Sequence, residues 1–189
     1  RLRFVPSDCT APASVRATAR SKTARLSSSL SGLSGSGAAG TSRCKAAAAA
    51  GRLVIAVLNT LSATDTVNWM IDRFPPHQQG SARSLLGRVL RGVICQRLVD
   101  RADGRGRVAV VESLVGTHKV RDAIIDGADP SVLERLMSEG EYHGMATFDQ
   151  ALFDLFSEEY VSLDEALERA VHPEDFRIAV QQAGLATLR

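Results

Sequence analysis

The chain is poor in the residues on which common small-protein chemistries depend. Three cysteines among 189 residues, Cys9, Cys44 and Cys95, are too few and too scattered for a disulfide framework, and no pair has zinc-site spacing. That usage fits a reduced, cytoplasmic protein. Aromatic side chains make up 5% of the chain, which leaves little on which to stack single-stranded nucleic acid. No apolar run nears the roughly 20 residues of a membrane-spanning helix; the longest, LVIAVL at 53–58, is strand-sized. The start lacks the apolar core of a secretory signal. Net charge is +2, from 23 basic and 21 acidic side chains, too near balance for a general polyanion binder. His77, His118, His143 and His172 have no metal-motif spacing, and no nucleophile elbow occurs. No metal ligand and no catalytic residue is therefore assigned.

Acid is scarcest at the start. Residues 1–50 carry eight Arg or Lys (Arg1, Arg3, Arg16, Arg20, Lys22, Arg25, Arg43, Lys45) against one acid, Asp8. Large apolar side chains are sparse there and show no period, so burial cannot offset the entropy of ordering the backbone. A disordered low-complexity segment is expected over 1–50, with a short helix in the alanines at 46–50 that Gly51 would end. Within it, GSGAAGTS at 35–42 puts Gly35, Gly40 and Ser42 in register with a phosphate-binding loop. Thr41 stands where the phosphate-reaching lysine belongs, and LSSSLSGLS before it is a poor buried strand. The match is read as chance in a small-residue tract.

Order is expected from residue 51. Leu53 to Leu58 are apolar without alternation, which reads as a strand buried on both faces of a mostly parallel sheet. Ser62 is a plausible N-cap for a helix carrying Val67, Met70, Ile71 and Phe74 on one face, stopped by Pro75 and Pro76. An amphipathic stretch over about Pro76 to Arg97 follows, with Leu85, Leu86, Val89, Leu90, Val93 and Ile94 core-facing and Cys95 a packed thiol among them. DGRG at 103–106 is turn chemistry, and RVAVVESLV at 107–115 reads as a second strand. From Thr117 the pattern is helical, with caps at Asp129 before Pro130, in TFDQ at 147–150 and in SLDE at 162–165, and a last helix between Pro173 and Gly184. The fold class is α/β passing into a helical C-terminal region.

These residues resemble a known family. GRLVIAVLNTLSATDTVNWMIDRFPPHQQGSARSLLGRVLRGVICQRLV, then GRVAVVESLVGTHKVRDAIIDG, GMATFDQAL and HPEDFR, are similar to the C-terminal part of the ATPase domain in the type IV pilus retraction ATPases, the PilT family of type II/IV secretion ATPases. The match covers about residues 51–187. It implies a partial RecA-like ATPase core over 51–116 and a helical C-terminal region over 117–189. It also implies ATP and Mg²⁺ as cofactors, a hexameric ring and a pilus inner-membrane platform protein as partner. The place implied is cytoplasmic, peripheral at the inner face of the membrane, with no specific nucleic acid and no membrane span.

ATP hydrolysis needs a P-loop, Mg²⁺ ligands and an acid to position water. The region that should hold them is missing or replaced by residues 1–50, as a shifted reading frame or a mis-called gene start would produce. This chain alone is thus expected neither to hold ATP tightly nor to hydrolyse it. The family's His box reads like Gly-His-Leu-Val and Leu-His-Thr; Arg52 and Asn59 stand at its histidine positions, and Thr60 matches. Asn59 and Thr60 are nucleotide-proximal by resemblance; an asparagine can donate a side-chain hydrogen bond to a phosphate oxygen but cannot take up a proton or carry a positive charge as a histidine does. KVRDAIID at 119–126 lies where the family has a motor motif resembling Ala-Ile-Arg-Asn-Leu-Ile-Arg-Glu. Val120, Arg121 and Asp122 approximate it and Asp126 stands for the Glu, while Ile125 replaces the second Arg. The rival reading is a non-enzymatic module that binds nucleic acid or an acidic partner through its basic tail and Arg83, Arg88, Arg91, Arg97, Arg101, Arg105 and Arg107. The bland reading of those arginines is a solvated or subunit-facing surface.

Overall fold

The computed structural model describes residues 47–185, so the expectation of disorder over 1–50 and the GSGAAGTS loop lie outside the described residues, save for 47–50. The chain divides into two compact units, Arg1–Ala56 and Val57–Arg189. In the first, one helical turn at 47–49 ends at Gly51, whose φ of +79° closes it. The N–H groups of Gly51 and Arg52 donate to the carbonyls of Ala48 and Ala47 at 3.0 and 3.1 Å. The buried strand expected over Leu53–Leu58 is not formed. Leu53 and Ile55 are 66% and 61% exposed, and Val57, at the start of the second unit, 95%. A strand without polar alternation requires ladder partners beside it and cover on both faces. None of the described residues pairs with this one.

In the second unit, α1 (Ala63–Asp72) starts at Ser62, whose hydroxyl accepts the Asp65 N–H at 3.0 Å, as the sequence implied. Pro76 then opens α2 (Pro76–Val89) at a position where its missing N–H costs nothing. The stretch 76–97 is not one helix. Leu90 turns extended, and β1 (Gly92–Asp100) follows, paired antiparallel with β2 (Arg107–Val115) from Gly92↔Val115 to Asp100↔Arg107. Val93 and Ile94, expected together on a helix face, therefore point oppositely: Val93 inward, Ile94 78% exposed. Cys95 is a buried strand residue, not a helical one. Cross-strand pairing with β2 outweighs a helical period that Val93 and Ile94 merely extended by chance. Gly116 fixes the junction, since a Cβ there would lie 2.3 Å from the Leu90 carbonyl oxygen.

The expected helices follow β2. They are α3 (His118–Asp126), capped by Thr117 and ended by Gly127 at φ +70°, and α4 (Pro130–Ser138), capped by Asp129. A 3₁₀ turn over Glu141–His143 leads to α5 (Phe148–Ser157), where Thr147 and Gln150 form a capping box. Then come α6 (Leu163–Arg169), capped by Ser162, and α7 (Pro173–Gln182), with Gly184 beyond its end. One face of the hairpin is covered by these helices. Its inward residues fall into two clusters: Cys95 and Leu114 join Val67, Ile71, Leu86, Val120, Ile124 and Met137 of α1–α4. Val99, Val108 and Val110 join Phe148, Leu152, Phe156, Phe176 and Val180 of α5 and α7. No helix among the described residues is long and apolar enough to cross a membrane.

Candidate functional site

Where the two clusters meet, a cleft of about 970 Å³ opens between the start of α1, the inward face of the hairpin, α4, α5 and α7. Its floor is Glu112. On an alternating strand this glutamate shares the inward phase of Val108, Val110 and Leu114, so it is carried into the core and is 4% exposed. Its carboxylate accepts the N–H of Ala63, the first residue of α1, and thereby meets the positive end of the helix dipole. Oε2 has no partner among the described residues. Burial pushes its carboxyl above the ordinary range, against the lowering effect of the Ala63 bond and of Arg97.

Arg97, one of the supposed surface arginines, lies inward beside Glu112. Its Nε and Nη2 donate to the Leu61 carbonyl at 3.3 and 3.0 Å, and its guanidinium sits 4.1 Å from the centre of the Phe148 ring. Arg101, partly exposed, forks onto the exposed Asp103 of the hairpin turn at 3.0 and 2.7 Å. The expected arginine-rich helix is therefore split between α2 and the hairpin. Opposite Arg97, Asp149 accepts the backbone N–H groups of Val171 and His172 at 2.7 and 2.9 Å, fixing the start of α7. The His172 ring bonds to Glu134 of α4 at 3.2 Å. Gln150, besides its capping role, donates to the last carbonyl of α4, Ser138, at 3.0 Å.

The candidates named from the sequence fall in two places, the approach to α1 (Asn59, Thr60) and α3 (Val120, Arg121, Asp122, Asp126). Asn59 is exposed. Thr60 shares a 2.6 Å hydroxyl–hydroxyl hydrogen bond with Thr66, which donates to the Ser62 carbonyl at 2.8 Å and contacts the Cys95 sulfur at 3.8 Å. This chain of bonds pins the approach to α1 onto the hairpin. Burial raises the Cys95 thiol's pKa, with the Thr66 bond opposing it. On α3, Val120 is fully buried, whereas Asp122 and Asp126 are exposed. Arg121 is half-buried, with a covered Nε that has no partner among the described residues. No hydrogen bond or ion pair among the described residues links Asn59 or Thr60 to α3. Val120 and Ile124 of α3 pack in the first core with Ala63, Val67 and Ile71 of α1, a core to which neither Asn59 nor Thr60 belongs. Glu112 went unassigned in the sequence and Arg97 was read only as part of a basic surface, yet a period of two across β2 marks Glu112 as the one charge in the apolar phase.

Hairpin, helical cover and order of elements match the C-terminal part of an α/β ATPase domain of known structure. The crystal structure of the pilus retraction motor PilT with bound ADP superposes with a TM-score of 0.51 at 30% identity, over 62% of this chain and 32% of that one. The ATPase DotB of Yersinia pseudotuberculosis gives 0.60 at 21% identity, over 70% and 34%, a likeness of fold alone. In sequence, the chain is 35% identical over 130 residues to the type IV pilus retraction ATPase PilT of Pseudomonas aeruginosa, covering 69% of this chain and 37% of that one. It is 33% identical over 131 residues to PilU, the type IV pilus ATPase of the same organism, covering 69% and 34%. No protein-family profile matches the chain. The chain is thus related to the type IV pilus retraction ATPases, and it spans about a third of the length of the curated relatives it matches.

Proposed function

We propose that the chain is a piece of a pilus-retraction-type motor, in which the family couples ATP hydrolysis to pilus disassembly, and that it does no hydrolysis alone. The observation that carries this reading is the relationship to PilT and PilU over one body of about 130 residues, together with the PilT-like fold. The described residues by themselves do not fit a triphosphate and its Mg²⁺. Asn59 is exposed on an unpaired stretch, the Thr60 hydroxyl is already bonded to Thr66, and the only buried charge beside α1 is the carboxylate of Glu112. Nor does the sequence hold a Gly-rich loop ending in Lys-Ser or Lys-Thr.

In this reading Asn59 and Thr60 lie next to a nucleotide held mainly by other parts of a complete motor. The α3 helix, with Val120 rooted in the core and Arg121, Asp122 and Asp126 on its outer side, passes on the stroke. RecA-like architecture, a hexameric ring, the membrane platform partner and a cytoplasmic place at the inner membrane face belong to the same proposal. Turnover measurements on the purified chain with ATP and Mg²⁺ test it: release of phosphate no faster than the blank is expected, and sustained turnover overturns it. DNA retention on filters that collapses between low and high salt would favour the nucleic-acid reading instead.

A further inference from the structure

The cleft above Glu112 has more acid than its helices use for folding. Asp149 holds the Val171 and His172 N–H groups ahead of α7 and Glu134 meets His172, but Asp65, Asp154 and Asp175 add further carboxylates around the same opening. The Asp154 carboxyl is raised by burial and by the charges of Glu158 and Glu141. The cations present are occupied: Arg97 by the Leu61 carbonyl and Phe148, Arg135 by Glu139 at 4.0 Å. Below them lies a carboxylate that is 96% buried by exposure (4% exposed) with one oxygen unmatched. Leaving such an oxygen covered and unpaired is costly, and an incoming cationic donor would relieve that cost.

The walls narrow the choice of cation. No described group of three or more carboxylate, histidine or cysteine side chains is close enough to hold a metal ion, so the charges are too spread for a single point cation. Between them run Met137, Met145, Phe148, Phe153 and Phe176. Apolar walls with carboxylates at floor and rim match a side chain that has a long methylene stem and a cationic head, borne on a chain with further charges. We propose that this cleft binds a basic segment of a partner protein, one arginine or lysine of which pairs with Glu112 while its neighbours face Asp154 and Asp175. The site stands independently of the motor reading.

Fluorescence anisotropy on the full chain tests it, with a labelled arginine–serine repeat peptide, its glutamate–serine counterpart, and spermine as competitor. The basic peptide alone is expected to bind. Glu112→Gln should weaken it about tenfold, and Asp175→Asn, at the rim, about threefold. Glu168→Gln, on α6 outside the cleft, should weaken it less than about twofold. Equal losses for Glu112→Gln and Glu168→Gln, no binding to the unaltered chain, or displacement by spermine as readily as by unlabelled peptide overturns the proposal. If Glu112→Gln fails to fold, the comparison of Asp175→Asn with Glu168→Gln decides in the same way.

Discussion

One hairpin serves two cores, and they are built differently. The core around Cys95 and Leu114 contains no aromatic ring among its buried members; it is aliphatic and methionine-rich, and backbones approach closely at glycines. A Cβ on Gly87 of α2 would sit 2.7 Å from the Ile125 side chain and 3.0 Å from the Arg121 carbonyl oxygen of α3. The core around Val99 and Val110 is organised by phenylalanines, with Phe176 meeting Phe153 and Phe156 edge to face at 5.9 and 6.3 Å between ring centres. In the first, shape complementarity resides in what is small; in the second, in what is large.

The largest test of that contrast removes a ring. Phe176→Ala should cost about 3–5 kcal/mol by urea unfolding, the usual range for emptying a buried aromatic site. Trp69, the only tryptophan, lies on α1 beside the first core, so its fluorescence reports there while circular dichroism reports the helices everywhere. The two transitions should stay coincident in the variant, because β1 and β2 run through both cores; transitions that separate would show that the hairpin does not couple them. Gly87→Ala tests the other core by addition. It should cost about 1–3 kcal/mol as α2 and α3 are forced apart, although alanine is the better helix former. Thr147→Ala removes the hydroxyl half of the capping box at α5 and should cost about 1 kcal/mol by the same measurement.

The gentlest test is a slope. Because burial raises the Glu112 carboxyl, the folded chain holds that proton to higher pH than the unfolded chain does. Stability should therefore fall as pH rises from the ordinary glutamate range through the raised value, and level off above it. Glu112→Gln should flatten this stretch of a thermal-melt pH profile. An unchanged profile would mean that the group titrates normally.

The second core was the more legible in the sequence. Thr147 with Gln150, Ser162 before Glu165, and Pro173 and Gly184 around the last helix are local signals whose energetics lie within one turn, and each stands in the structure as the sequence implied. The hairpin was half legible: β2 alternates over Arg107–Val115, but β1 extends a helical period from Leu90, and only its distant partner decides between the two. The run at Leu53–Leu58 failed for the converse reason, since its composition specifies a buried strand and no described neighbour buries it. The floor of the cleft was legible in principle, from one glutamate in the wrong phase of an alternating strand. Arg97 was not, because an arginine on a supposed helix gives no hint that a carbonyl thirty-six positions earlier will hold it.

That arginine has a mechanical consequence. Its planar head is tied at one end to the peptide leading into α1 and rests with its flat side on the first ring of α5, so neither can shift by much without dragging or releasing the other. A lysine there would keep the charge but lose the flat contact, and the segment upstream of α1 would be free to slide while α5 stayed still.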